Sequence, residues 1–448
     1  MISLTELVMV AIPIAPLLAF TWIAGTQLLR DKPISERAAS QAVLWATGLA
    51  LLGSIGLGIG VMRAPTGELV FDRGPWFEIG SYQFAGRLTV DSLSAVMLVL
   101  STGLSLIGAW FSVTYMHREL GFHRFFGLIA LFEAGLFLVL EAGTIDLLFV
   151  GWELVGLTSA FLIAFFHSRE APAQAGLLAF VTYRICDVGL LVGAVLLHHY
   201  AHTSNFDGAF GAGHWPVGTA HLEPHAAGLI AVLFLLAAMA KSGAFPVGGW
   251  LPRAMEGPTP SSALFYGGLS VATGVYLLLR VAPLFAESLG ARALLGAVGI
   301  ATFIHATIVG RVQTDAKSQL AYASATQTGL VFVWIALDLR WLAIIHLFGH
   351  ISLRTFQLLR APTLLRDRHD RHGALGGEHL HTGRYLDRLL PAKLRERLYT
   401  LALDRFAIDE AIQVLLVRPL MSLVGKAERL EQSFADRLVR PHTAKELR

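Results

Sequence analysis

Charge is scarce in this sequence. Asp, Glu, Lys and Arg make up 15% of its 448 residues against 54% apolar ones, and the mean hydropathy is +0.59. That balance excludes a soluble domain and leaves a polytopic membrane protein. Cysteine is almost absent. The lone Cys186 lies in an apolar run, so it cannot form an internal disulfide and reads as a small buried hydrophobe. No G-x-G-x-x-G, phosphate loop, C-x-x-C or haem signature occurs, so no nucleotide, flavin or iron–sulfur site is expected, no cofactor in this chain, and no nucleic-acid partner. Glu6 precedes the first apolar run without a basic n-region, and no small-residue cleavage site follows, so that run is expected to remain as a permanent span. Lysine is rare: Lys32, Lys241, Lys317, Lys393, Lys426 and Lys445 are the six among 35 basic residues, so a lysine within an apolar segment stands out.

What is present is a succession of apolar runs of spanning length, near 4–29, 40–62, 91–116, 124–141, 144–167, 174–200, 225–243, 261–286, 290–310, 318–338 and 341–359. The expected fold is all-α, with about eleven transmembrane helices. Between the second and third runs, Glu68 to Asp91 alternates around Gly80-Ser81 and predicts a short hairpin outside the membrane. Arg30, Lys32, Arg37, Arg118, Arg124, Arg169, Arg253, Arg311 and Lys317 share one side with a basic tail, whereas the 201–224 loop has neither Lys nor Arg. The positive-inside rule then places the amino terminus outside and the tail in the cytoplasm of a bacterial inner membrane. Arg354 to Arg448 holds 18 of the 35 Lys and Arg. Within it, 361–390 reads as a basic loop, and 391–438 as one amphipathic helix lying on a membrane or a neighbour, with Leu401, Phe406, Ile408 and Ile412 opposite Asp404, Arg405 and Asp409. The chain divides at 1–87 (two spans and hairpin), 88–360 (core), 361–390 (loop) and 391–448 (amphipathic helix and tail).

One stretch interrupts the helical pattern. From Lys241 to Tyr276 the sequence reads KSGAFPVGGWLPRAMEGPTPSSALFYGGLSVATGVY, with Pro246, Pro252, Pro258 and Pro260 after the lysine. Proline removes a donor and breaks the seventh helix, and in lipid the freed carbonyls are tolerable only inside protein or along a wet cavity. Lys241 is therefore expected to face such a cavity. Thr259 reads as N-cap of the next helix with Pro260 at its first position.

This stretch closely resembles the signature of the proton-translocating, antiporter-like membrane subunits of respiratory complex I and the multi-subunit cation/proton antiporters, K-S-A-x-x-P-x-x-x-W-L-P-x-A-M-x-x-P-T-P-x-S-A-L. That family usually has a histidine where Tyr266 stands here. The variant LPRAMEGPTPSSALFYGGLS looks more like one branch, the membrane subunit of Dab-type inorganic carbon accumulation complexes. The resemblance implies that Glu153, in GWELVG, pairs with Lys241 on a proton pathway: a nearby carboxylate favours the charged lysine, and its withdrawal favours release of the proton. It covers about residues 88 to 358, with spans four to eight as one five-helix unit. A second, inverted unit would need a further broken helix at a twelfth span, and that helix and its lysine are expected to be missing.

Other ionisable residues carry open alternatives. Glu153 reads as a pathway group or a structural ion pair; Asp146, seven residues before it on the same face, as a pathway group or a solvated terminus. Arg184 and Asp187, at i, i+3, match V-x-R-x-x-D and read first as a salt bridge holding helix geometry. Lys317, in TDAKSQLAYASATQTG, resembles the family's central lysine, with an interfacial snorkelling lysine as the alternative. His305 lies in the ninth span. His346 and His350, at i, i+4, have relay spacing, and their HLFGH lacks the glutamate of H-E-x-x-H. Arg354 stands where the family has a lysine and cannot release a proton. His198, His199, His202, His214, His221 and His225 read as a solvated outer loop. The implied function is proton or sodium translocation through Glu153, Lys241, Lys317, His346 and His350, energising CO2 hydration to bicarbonate. The expected partners are membrane lipid and a large zinc-containing subunit resembling a β-carbonic anhydrase, which would hold the zinc; this chain is a transporter subunit with no catalysis of its own. The alternatives are a complex I or antiporter subunit, and a non-conducting anchor.

Overall fold

The computed structural model describes residues 3–29, 34–79, 82–211, 215–216, 218–361, 391–412, 414–415 and 418–439. Ten of its helices are long and apolar enough to cross a membrane. In chain order, α1 (Leu4–Leu29), α2 (Glu36–Arg63), α3 (Ser92–Tyr115), α4 (Phe122–Glu141), α5 (Ile145–Ile163) and α6 (Glu170–Ala201) lead to a short helix, α7 (Phe206–Phe210), and to α8 (Pro224–Lys241). After the broken stretch, Thr259–Arg280 spans, followed by the short α12 (Ala282–Glu287), α13 (Leu289–Val312), α14 (Ala316–Ala336) and α15 (Arg340–Leu359). α14 is the eleventh long helix; the polar residues of its first half keep it below spanning hydropathy, yet it packs along α13 and against α15. Leu18, Trp22, Trp45, Leu52, Trp110 and Val188 point outward and exposed, as lipid-facing residues do.

The expected hairpin is present. β2 (Pro75–Ile79) pairs antiparallel with β3 (Tyr82–Ala85), and β1 (Leu69–Phe71) with β4 (Leu88–Val90). The Gly80-Ser81 turn, the basic loop 362–390 and His214 lie outside the described residues.

Thr259–Arg280 is the post around which the rest is built, and its spanning window is wholly buried. It begins with α10 (Thr259–Ser261), is π-helical over Ser262–Leu269, and ends as α11 (Ser270–Arg280). Its start differs from expectation by one residue: Pro258 is the N-cap, with its carbonyl accepting from Ser262 N at 3.0 Å, and Thr259 Oγ1 instead accepts from the Tyr115 hydroxyl. Two glycines let α15 approach the π-helical turns, where a Cβ at Gly267 would sit 2.2 Å from Leu358 Cδ1 and one at Gly268 2.9 Å from Ile351 Cγ2.

The break before this post is closed by protein groups. Ala240 O accepts from Gly243 N (3.3 Å) and from Trp250 Nε1 (2.8 Å), and Phe245 N donates to Thr302 Oγ1 of α13 (3.0 Å). A short helix, α9 (Trp250–Arg253), fills the gap. These bonds satisfy backbone groups left without helical partners where the helix stops, which is the condition for irregular backbone at membrane depth.

The tail corrects the expectation of one continuous amphipathic helix. Helical segments lie at Ala392–Leu403, Ile408–Ile412 and Arg418–Val439, and the first two are separated by Arg405, Phe406 and Ala407, all at positive φ (50°, 58° and 55°). The left-handed turn drives Phe406 onto His305 of α13, with ring centroids 5.7 Å apart, and Pro419, unable to sit in a helix interior, falls in the first turn of the last segment. Phe406 therefore does not share a face with Leu401. A cleft of about 760 Å³ opens between this turn and the bundle, lined by Gln174, Arg253, Glu256, Asp404, Arg405 and Glu410 among others.

Candidate functional site

Lys241 is the last residue of α8, where the helix stops because Ser242 caps it and Gly243 turns away at φ +62°. The side chain is fully buried. Instead of facing the expected wet cavity, its ammonium lies 4.7 Å from the Trp152 ring centroid and 4.6 Å from that of Tyr183, and Nζ donates to Trp152 O at 3.2 Å. Both rings stand at this depth because α5 and α6 flank α8 and the chain is glycine at 156. A Cβ there would be 2.9 Å from Lys241 Nζ and 3.0 Å from Arg184 Nη2, so the two cations lie within about 6 Å of each other.

The expected Glu153–Lys241 pair is not a direct one. Glu153 is ion-paired with Arg184. Arg184 also donates through Nη2 to Asp187 Oδ2 (3.0 Å), and Asp187 Oδ1 accepts from Trp152 Nε1 (2.6 Å). Arg184 lies beside the ammonium, and Asp187 is linked to it through Trp152, whose Nε1 donates to Asp187 and whose carbonyl accepts from Lys241. Arg184 and Asp187, read from sequence as a pair holding helix geometry, thus sit inside the Lys241 cluster and connect it to Glu153. The cluster contains two carboxylates and two cations on three helices, so its charges balance, and any proton that leaves or enters must be accompanied by a change of partner.

Tyr266 extends the cluster. It is fully buried in the π-helical turns, donates to Ser159 O at 2.6 Å, and packs edge-on to Trp250. Ser159 and Ser270 hydroxyls lie 3.4 Å apart beside it. The π register brings these groups together because it retains one extra residue per turn; such turns are frequent at functional sites.

The remaining candidates form two further groups. Lys317, in the first turn of α14, donates to Met255 O (3.2 Å) and Gly257 O (3.3 Å), the carbonyls freed at the far end of the break. It borders an open cleft of about 360 Å³ with Glu256 and Asp315. His346 and His350 lie on one face of α15. The His346 ring is held at both nitrogens, Trp334 Nε1 donating to Nδ1 (3.0 Å) and Nε2 lying 2.8 Å from Gln327 Oε1, which sets the neutral Nε2–H tautomer. His350 and Arg354 are buried, and Arg354 Nη1 donates to Gln357. His305 packs on Phe245 and Phe406, away from the Lys241 cluster. Asp146 is buried in the first turn of α5, behind the Thr144 cap.

Sequence reasoning misses the Trp152 and Tyr183 enclosure, and three buried ionisable residues: Glu133 and Glu141 of α4, and Arg280. Arg280 grips Asp91, the N-cap of α3, through both oxygens (2.5 and 3.1 Å) and also reaches Ser94 and Tyr276. Burial by itself would raise the Asp91 carboxyl, but the Arg280 guanidinium outweighs it and holds the group below the usual carboxylate range. All three stand in or at the ends of apolar runs, the signal that singled out Glu153.

Residues 142–378 match the family described as NADH:quinone oxidoreductase/Mrp antiporter, TM, and residues 76–126 match the one described as NADH-Ubiquinone oxidoreductase (complex I), chain 5 N-terminus. The chain is 32% identical over 301 residues to NADH-quinone oxidoreductase subunit L of Neisseria meningitidis, covering 66% of this chain and 45% of that one. With the Escherichia coli subunit L it shares 31% over 357 residues, covering 79% and 56%. A chain in the structure of the Mrp complex from Dietzia sp. superposes with a TM-score of 0.66 at 25% identity, over 78% of this chain and 37% of that one. The chain spans about half the length of the curated relatives it matches.

Proposed function

The chain belongs to the NADH:quinone oxidoreductase/Mrp antiporter membrane-subunit family, and from that premise we propose that it translocates protons across the membrane as one subunit of a larger complex. The observation that carries this reading is the Lys241 ammonium, buried on the broken helix beside Arg184, which pairs with two carboxylates. In the arrangement described, Trp152 O and two ring faces hold the proton on Lys241. A shift of Arg184 off Glu153 and fully onto Asp187 would screen the carboxylate that favours the charged lysine, and the proton would leave. Lys317 and the α15 histidines are the next stations; Lys317 borders a cleft, and His346 must give up one of its two hydrogen bonds to take a proton. Proteoliposomes containing the full chain and a pH-sensitive dye test this: Lys241→Ala is expected to abolish flux at unchanged membrane level, and wild-type flux in that variant would leave the chain as an anchor.

The relatives' names favour a subunit of a respiratory or antiporter complex over an inorganic carbon uptake complex. The second reading is supported by the Tyr266-Gly267-Gly268 variant, whose tyrosine bonds to Ser159 and whose glycines admit α15. It includes a zinc-containing, carbonic-anhydrase-like partner and a tail on the cytoplasmic side. Labelled bicarbonate uptake by cells expressing the chain with its neighbouring reading frames separates the two: uptake that requires Lys241 favours carbon accumulation, and its absence together with cation/proton exchange favours the respiratory or antiporter subunit.

A further inference from the structure

α4 carries two carboxyl groups outside the Lys241 cluster. Glu133 and Glu141 are both fully buried. At Glu133, Oε2 lies 2.7 Å from Thr47 Oγ1 of α2, and Oε1 meets no hydrogen-bond donor among the described residues; at Glu141 neither oxygen does. The Thr47 hydroxyl also lies 2.8 Å from Val43 O. A hydroxyl has one hydrogen, and a backbone carbonyl can only accept. Both contacts are satisfied together when Thr47 donates to Val43 and the carboxyl donates to Thr47. An ionised carboxylate would instead have a single donor for about four lone-pair sites in a buried position, which costs far more than holding the proton.

The acidic groups on the helices around α4 are engaged elsewhere, and the basic residues of α2, Arg37 and Arg63, stand in its first and last turns. Glu6 of α1 pairs with Arg73, Glu36 of α2 with His117, Asp91 before α3 with Arg280 of α11, and Glu153 of α5 with Arg184. Asp146 of α5 is close in sequence to Glu141 and not to Glu133. The position of Glu133 is nevertheless connected to the proposed pathway. α4 and α5 touch backbone to backbone, a Cβ at Gly151 falling 2.6 Å from Gly135 O, and Gly135 and Gly151 are each two residues from Glu133 and Glu153. The Phe132 ring meets that of Phe265 at a tilt, centroids 3.9 Å apart, next to Tyr266 in the π-helical turns.

We propose that Glu133 is a second proton-binding site, a neutral carboxylic acid held between α2 and α4 one helix away from Glu153, with Glu141 a further acid of the same kind toward the end of α4. Its ligand is the proton itself: on release the O–H bond of the carboxyl breaks and the pair stays on the oxygen, and on uptake it re-forms, while Thr47 keeps its own hydrogen throughout. The transport role rests on the proton-translocation reading, whereas the neutral acid does not, so the two are tested separately. Infrared spectra of the reconstituted full chain at neutral pH should contain the carbonyl stretch of a protonated carboxyl that is lost in Glu133→Gln, persists in Lys241→Ala and shifts in Thr47→Val. A spectrum that Glu133→Gln leaves unchanged would overturn the assignment, and because Thr47→Val keeps the shape of the site, its shift reports on the acid even if Glu133→Gln folds poorly. In proteoliposomes Glu133→Gln, which keeps the contact but cannot exchange a proton, should lower flux at least tenfold; undiminished flux would overturn its role in transport.

Discussion

The Lys241 ammonium keeps one backbone carbonyl and two ring faces in place of the hydration an exposed lysine has. Such desolvated cation–π contacts are worth about 2 kcal/mol. The ring of Tyr183, more than its hydroxyl, is therefore what Lys241 needs. Tyr183→Phe should leave proton flux close to wild type, whereas Tyr183→Leu should lower it by roughly tenfold or more, the equivalent of ~1.4 kcal/mol; equal loss in both would point to the hydroxyl instead. Arg184 serves two carboxylates, so Arg184→Gln should be as severe as Glu153→Gln, and a double variant should cost little more than either, since neighbours in one network are not additive. Asp91 gives a stability prediction with a sign. Its carboxyl is held below its unfolded value, so the stabilisation is full above the ordinary carboxylate range and is lost as pH falls through the folded pKa. Asp91→Asn should destabilise by about 3–5 kcal/mol at neutral pH, because it leaves Arg280 buried and unpaired. Thermal unfolding of both proteins from neutral pH downward should show the gap narrowing in acid, and a gap that widens would contradict the pairing.

Elements here meet through glycine. α4 and α5 close on Gly135 and Gly151, where a Cβ on Gly151 would fall 2.6 Å from Gly135 O and one on Gly135 3.1 Å from Gly151 O, and α13 and α14 close on Gly299 and Gly329, where a Cβ on either would fall 2.6–2.7 Å from the other's carbonyl oxygen. A backbone oxygen cannot rotate out of the way as a side chain can. Small residues at helix contacts are also what holds membrane helices together when lipid removes the hydrophobic drive. Gly151→Ala should therefore separate α4 from α5, cost about 1–3 kcal/mol as an overpacked site does, and disturb Glu153 two residues on. Gly349→Ala on α15 meets nothing within 4 Å and should be neutral or slightly stabilising. Thermal unfolding in detergent, with flux measured on the same preparations, compares the pair; equal effects would mean that the α4–α5 contact is looser than described.

At the scale of the molecule, the tail segment packs on α13 and its turn at Phe406 borders the cleft beside Arg253 and Glu256. A basic tail placed against the break suits an acidic partner or anionic lipid. Deleting 391–448 should leave the helices in the membrane and release a co-expressed partner in detergent pull-downs; an intact complex would move the contact to the loops between spans. The sequence by itself determined the membrane class, the span positions, the outer hairpin and the break at Lys241, because hydropathy and proline act locally along the chain. It also marked Glu153, Arg184, Asp187, Lys241 and Tyr266, since a charge or a motif in an apolar run is visible without a fold. Only the tertiary structure decided who pairs with whom: Arg184 rather than Lys241 meets Glu153, Lys317 caps carbonyls sixty residues away, and the tail bends at Phe406. Glu133 and Thr47 meet across 86 residues of sequence. The reason is geometric, since in lipid each ionisable or freed backbone group must find its partner on another helix, and helix-to-helix distance leaves no trace in spacing along one chain.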